Sequence, residues 1–252
     1  MKIDFPTLRH MPQLRELWQD AFGDSVEFLD SFYRTAYSPD RCRCILMDGQ
    51  AAAVLYWIDC ELDSRKLAYL YAVATHPAHR GKGLCRKLME DTHQLLASRG
   101  YAGALLVPQK EPLRRMYAGM GYESFGGLDT VSCTAGRSPV PIRAICPEEF
   151  AALRRKMAPV GAVIQEGAGL SFLADQLQFY AGDDFLLAAY GEKDMLSGVE
   201  LLGNPNAAGG ILNALGFSRG DFRLPGRERP FAMFHPLSTD IRTPDYFGFA
   251  FD

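Results

Sequence analysis

The chain has 252 residues, 48% of them apolar and 23% charged, with a formal net charge of −3. That length allows one large domain or two small ones, and the mild charge argues against a protein that coats nucleic acid or an anionic membrane. No apolar run approaches the roughly 18–20 residues that cross a bilayer, and MKIDFPTLRHMPQLRELW lacks the pattern of a secretory leader, so a cytoplasmic protein is expected.

Lys2–Phe5 reads as a short strand. Leu14, Leu17, Trp18, Ala21 and Phe22 then recur at helical spacing behind Pro12, and Gly23 breaks that helix. Asp24 or Ser25 can cap a second helix through Val26, Leu29 and Tyr33. Cys42–Met47 and Ala51–Ile58 read as strands joined at Asp48-Gly49, a dipeptide suited to a two-residue hairpin, and Lys66–Thr75 as a third strand. That strand ends in AYLYAVAT, meets the loop HPAHRGKG, and continues into LCRKLMEDTHQLLASRG. Leu84, Leu88, Thr92, Leu95 and Leu96 form the buried stripe of this helix, and Gly100 is its stop. A strand at Ala102–Val107 and a short helix at Pro112–Met120, ended by Gly121, follow.

From about Val131 the pattern begins again. LRRKM at 153–157 resembles LRELW at 14–18, a strand pair around Tyr190-Gly191 resembles the pair around Asp48-Gly49, and Ala214–Phe217 resembles Gly119–Tyr122. Aligning Leu14 with Leu153 and Gly121 with Gly216 gives offsets of 139 and 95, so a second copy would be 44 residues shorter. That deficit is close to the length of Ala68–Gln109, although any two stretches of mixed helix and strand align this loosely. The terminal run Tyr246–Asp252 alternates aromatic and small residues, as a strand with one aromatic face would, and Arg223–Arg229 reads as a solvated charged turn. The six cysteines include no C-x-x-C pair; Cys42-x-Cys44 is half a zinc site at best, so reduced, mostly buried thiols and no metal are expected.

The loop between strand and helix carries the chemistry. The first N–H groups of a helix lack internal partners and the helix dipole makes that end positive. Gly81 and Gly83 let backbone approach an anion closely, and Arg80 and Lys82 add charge, which together suit a phosphate or pyrophosphate. Neither a Walker loop nor a three-glycine dinucleotide fingerprint is present.

With these residues in order, Tyr69–Phe125 resembles the core of the GNAT superfamily of acyl-CoA-dependent N-acetyltransferases. Arg80, Gly83 and Cys85 occupy the three defined places of the family's Q/R-x-x-G-x-G/A loop, with cysteine where glycine or alanine is usual. LLVPQKEPLRRMYAGMGY resembles its closing motif, with Tyr117 before the Gly121-Tyr122 pair and Lys110 where an asparagine is common. The resemblance implies an α/β (α+β) fold, with a mixed, mostly antiparallel sheet flanked by helices over residues 1–130. A smaller, degenerate GNAT-like domain over 131–252 would follow it.

It further implies acetyl-CoA as cosubstrate, held by main-chain groups of Val73, Ala74 and Thr75 and by the loop Arg80, Gly81, Lys82, Gly83, Leu84 and Cys85. The family position makes Tyr117 the general acid for the leaving thiolate, and a backbone N–H, that of Val73, the donor to the thioester oxygen. For the base, Glu61, Asp59 and His76 lie near strand ends that flank the cleft; Glu61 is preferred, although a solvent-facing hairpin residue reads the same way. Tyr69 and Tyr71 either line the acceptor pocket or pack the sheet. The acceptor would be a primary amine of a small molecule or peptide, with neither nucleic acid nor membrane as partner. The second half would cover the cleft, shape the pocket or support a homodimer. A catalytically silent acyl-CoA-binding sensor or scaffold is the rival reading.

Overall fold

The structure is a computed structural model that describes residues 1–250. Phe251 and Asp252, the end of the expected aromatic strand, lie outside the described residues. The N-terminal half runs β1 (Lys2–Asp4), α1 (Met11–Phe22), α2 (Val26–Thr35), β2 (Cys42–Met47), β3 (Gln50–Leu62), β4 (Arg65–Thr75), α3 (Leu84–Ser98), β5 (Gly103–Leu106), α4 (Glu111–Ala118) and β6 (Glu123–Thr134). The second half runs β7 (Arg143–Ile145), α5 (Pro147–Met157), α6 (Ala168–Ala174), β8 (Gln178–Ala181), β9 (Phe185–Glu192), β10 (Met195–Gly203), α7 (Ala208–Leu215), β11 (Arg219–Pro225) and β12 (Arg229–Pro236). Local chemistry explains the boundaries that were legible. Ser25 accepts a hydrogen bond from the Phe28 N–H at 3.2 Å to open α2, and Asp48 and Gly49 both take positive φ at the β2–β3 turn.

Among the described residues the strands form one 12-stranded sheet in the order β1-β2-β3-β4-β5-β12-β6-β11-β10-β9-β8-β7. Read inward from either edge, β1 to β5 and β7 to β11 repeat the same pattern. Only the contacts β4–β5 and β10–β11 are parallel. At the centre the halves exchange their last strands, so β12 lies between β5 and β6, and β6 between β12 and β11. The repeat is thus present in the topology, with β6 running across the expected boundary at residue 130.

Its alignment differs from the sequence expectation. Gly216, at the end of α7 and before β11, corresponds to Gly100 between α3 and β5, not to Gly121; both take φ of 78°. The second half keeps a counterpart of β4 in β10. It is shorter because no helix matches α4 and because α7 has 8 residues against 15 in α3. The hairpin turn also lies at Lys193-Asp194, leaving Tyr190-Gly191 inside β9.

Helices cover both faces of the sheet. On one, Trp18, Phe32 and Tyr56 pack with α5 and α6 through Phe150 and Phe172; on the other, α3 and α4 bury Leu88, Met89 and Tyr117 against Trp57 and Leu106. The halves are tied by β12 and by contacts such as Phe28 against Phe172 at 5.2 Å between ring centres and Ser31 donating to Asp175 at 2.6 Å. Residues Tyr246–Ala250 form no strand beyond a single bridge at Tyr246. Phe247 packs on Tyr69 of the first half, and Phe249 on Phe150 and Phe179 of the second, so this segment joins rings of both halves in one cluster without forming the expected strand. Cys42, Cys44 and Cys60 are buried free thiols, whereas Cys146 is exposed. Among the described residues no helix is long and apolar enough to cross a membrane, and no three His, Cys, Asp or Glu gather at metal-binding spacing.

Candidate active site

Two departures from regular structure open the site. Strand β4 pairs with β5 only from Leu67↔Gly103 to Tyr69↔Leu105, and beyond that point the two diverge. On its other edge β4 is bulged: Val54 pairs with Ala74 and Tyr56 with Tyr71, so Ala72 and Val73 together oppose Leu55. Ala72 holds a φ of 47°, a left-handed conformation that costs a non-glycine residue roughly 1–3 kcal/mol and that recurs at functional sites. The splay leaves the β5-facing edge of Tyr71–Thr75 without a strand partner along a cavity, and the bulge adds Ala72 and Val73 unpaired on the other edge.

The loop after β4 delivers the start of α3 to the same cleft. Gly81 and Gly83 have φ of 73° and 74°, and no atom lies within 4 Å of where a side-chain Cβ would stand on either. Gly83 is the N-cap, so the unpaired N–H groups of the first turn of α3 meet open space, as a pyrophosphate requires. His79 Nδ1, buried on the cavity wall without a hydrogen-bond partner, is a polar atom left for a ligand. The residues therefore fit the phosphate end of coenzyme A.

The cationic side chains are used differently from the expectation. Arg80 donates through Nε to the Thr75 carbonyl at 3.0 Å, clamping the loop to the end of β4. Lys82 turns its ammonium onto the Ala78 carbonyl at 2.9 Å and does not line the cavity; Arg86, one turn into α3, does. Arg86 also donates to the Gly119 carbonyl at 3.0 Å, which ties the end of α4 to the first turn of α3.

The resulting cavity has a volume of about 1090 Å³. It brings together Val73, Ala74, Thr75, Arg80, Gly81, Gly83, Leu84, Cys85 and Tyr117. Tyr117 is buried in α4 with its ring edge-on to Tyr122 at 5.8 Å, and its hydroxyl has no hydrogen-bond partner among the described residues. Burial pushes its phenol above the ordinary value, with Cys85 adding to the effect, so the group is held neutral with a proton to give. Burial likewise pushes the Cys85 thiol up to about 11, which keeps a small neutral group at the third loop position.

Glu61 lies elsewhere. It borders a separate cavity of about 360 Å³ with Arg41, Lys66 and Glu166, and its carboxylate accepts from Arg155 at 3.2 Å. Asp59 lines that second cavity too, and His76 accepts the Ala78 N–H in its own turn. The carboxylate on the main cavity wall, among the described residues, is Asp24. It accepts the Trp18 indole N–H at 2.7 Å. Burial pushes the Tyr71 phenol well up, and Tyr69 and Asp24 add to that shift.

Tyr69 and Tyr71 both line the cavity while packing the core, so neither reading excluded the other. The second half contributes Gln176, Leu177, Tyr190, Val199, Arg223 and Ala250. Arg223 is thus a strand residue on the cavity wall, 5.9 Å over the Phe231 ring, where a solvated turn was expected. Asp24 was visible in the sequence only as a helix cap. Arg86 was hidden behind the more conspicuous R-G-K-G string.

Residues 2–125 match the family model described as an acetyltransferase (GNAT) domain. Among solved structures, the chain resembles a GCN5-related N-acetyltransferase from Anabaena variabilis, with a TM-score of 0.72 at 16% identity over 94% of this chain and 73% of that one. It also resembles Eis1 from Mycobacterium abscessus, with a TM-score of 0.69 at 14% identity over 95% of this chain and 75% of that one. A tandem GNAT protein from the clavulanic acid biosynthesis pathway matches over 95% of this chain and 100% of its own, with a TM-score of 0.56 at 10% identity. At these identities the likeness concerns the fold, and no curated protein matches the sequence. Residues 2–125 thus match a GNAT acetyltransferase domain, and over the rest of the chain the likeness to these structures is one of fold.

Proposed function

We propose that this protein transfers an acetyl group from acetyl-CoA to a primary amine of a small molecule or peptide, by direct attack of the amine. Residues 1–130 would form the acetyl-transferring unit, and 131–252 a GNAT-like half that has lost the pyrophosphate loop and completes the acceptor end. The observation that carries this reading is the hydroxyl of Tyr117, without a described partner, in the same cavity as the glycine loop and the splayed strand. In this reading the loop and the first turn of α3 hold the pyrophosphate. Main-chain groups at Val73–Thr75 receive the pantetheine arm, and the backbone N–H of Val73 stabilises negative charge developing on the thioester oxygen. Tyr117 gives its proton to the sulfur as the carbon–sulfur bond breaks, the proton shed by the amine nitrogen returns through water to the phenolate, and Arg86 ties the end of α4 to the first turn of α3.

Calorimetry with acetyl-CoA, combined with coenzyme release over a panel of amines, tests the assignment. Binding followed by amine-dependent release is expected. Binding without release for any amine would favour the silent acyl-CoA sensor.

A further inference from the structure

Strand β12 belongs to the second half, yet it runs between β5 and β6 and grips α4 towards both of its ends. Near the start of the helix, Arg114 donates to the carbonyls of Pro230 and Phe231, each at 3.2 Å, and to the Ser124 hydroxyl at 3.0 Å. Just beyond its end, His235 donates through Nδ1 to the Gly121 carbonyl at 3.0 Å. A carbonyl only accepts, so this contact puts the ring proton on Nδ1. The ring also seats on the turn itself. The place a Cβ would take on Gly121 lies 3.1 Å from His235 Cε1 and Nδ1, and the His235 ring stands 5.3 Å from that of Tyr122. Tyr117 lies between the two grips.

That turn holds Tyr117. The Tyr117 carbonyl accepts the Met120 N–H at 2.8 Å and the Tyr122 N–H at 3.2 Å, and the Tyr122 ring meets the Tyr117 ring edge-on at 5.8 Å. Tyr122 is fixed at its far end too, where its hydroxyl lies 2.7 Å from His93 Nε2 and the His93 ring stacks on His235 at 4.4 Å. We infer that His235 is a positioning residue for Tyr117: it locks the Gly121-Tyr122 turn, and with it the place of the Tyr117 hydroxyl. The inference rests on the reading of Tyr117 as the acid. It gives the second half a part in proton transfer that is separate from the acceptor pocket, because the exchanged strand brings a residue 114 positions away onto the turn. Proton transfer needs a heavy-atom approach of about 2.6–3.2 Å, so a small shift of α4 is enough to slow it.

The test measures coenzyme release at saturating acetyl-CoA, with whichever of 2-phenylethylamine, butylamine, spermidine and a lysine-containing peptide the wild-type chain uses fastest. His235→Ala should lower kcat about tenfold or more and leave acetyl-CoA affinity by calorimetry unchanged. His235→Asn keeps an N–H on the atom bonded to Cγ, where Nδ1 stands, and should restore most of the rate. His235→Gln carries its N–H one carbon further out and should not. In a Tyr117→Phe background His235→Ala should cost nothing more, because the group it positions is gone. If His235→Ala folds poorly by circular dichroism, the comparison of Asn with Gln decides. With Tyr117→Phe slow, a wild-type rate for His235→Ala, losses that multiply in the double variant, or Asn no better than Gln would overturn the inference and leave Tyr117 as the acid. Tyr117→Phe at the wild-type rate, or acetyl-CoA binding with no release for any amine, would overturn both.

Discussion

Glu200→Leu probes how the second half holds its share of the site. Arg154 of α5 and Glu200 of β10 are 2% and 1% exposed, and they meet through two hydrogen bonds, at 2.6 and 2.9 Å. Tyr246 donates to the same carboxylate at 2.9 Å, Arg154 donates to the Val163 carbonyl at 3.2 Å, and its guanidinium lies 5.2 Å over the Phe249 ring. The pair therefore anchors the segment that carries Phe247 onto Tyr69 and Ala250 to the cavity wall. A guanidinium cannot shed its charge, so removing Glu200 leaves Arg154 ionised and uncompensated in the core. Breaking a buried pair in this way costs about 3–5 kcal/mol, or about 10 °C in Tm for a chain of this size.

The double variant Arg154→Met with Glu200→Leu fills the space with apolar groups, and it should recover most of that loss. Urea unfolding followed by circular dichroism, with calorimetric Tm values, measures both. A single-variant cost below about 1 kcal/mol, or a double variant no better than the single, would refute the argument that charge balance matters here.

Gly83→Ala forces a side chain into left-handed backbone at φ 74° in otherwise open space, so the loss should come from the backbone and amount to about 1–2 kcal/mol. Urea unfolding should show that loss as a lowered midpoint, and calorimetry an acetyl-CoA affinity reduced by up to about tenfold where the loop relaxes to relieve the strain. His93 provides a pH signature. Burial, reinforced by His235 stacked at 4.4 Å, pulls its imidazole down to about 4 from the ordinary 6.5. The unfolded chain takes up this proton and the folded chain refuses it, so stability present above pH 6.5 is lost as pH falls towards 4 and levels off below. The gap corresponds to roughly 3 kcal/mol. His93→Gln should flatten that part of the stability–pH curve relative to wild type, and an unchanged slope in urea unfolding would contradict the assignment.

Much of the N-terminal half was legible because its signals are local. The Asp48-Gly49 hairpin, the glycine loop and the stripe of α3 each follow from a short run of residues, and each stands where the sequence puts it. The cavity wall was not legible for the opposite reason. Asp24, Tyr190 and Arg223 are brought together from α1–α2, β9 and β11, and no local pattern records that meeting. Glu61 misled because position near a strand end says nothing about which side of the molecule that end faces; Arg155, 94 residues away, captures its carboxylate. The strand exchange at β6 and β12 escaped the sequence because pairing partners are set by tertiary contact and not by strand propensity.

The central claim is that Tyr117 donates the proton that lets the coenzyme leave. Coenzyme release by Tyr117→Phe, measured against pH with saturating acetyl-CoA and amine, tests it most directly. General acid catalysis of this kind contributes about 10²–10⁴-fold, so kcat should fall by that order while acetyl-CoA affinity by calorimetry changes little. Turnover near wild type at every pH would contradict the account.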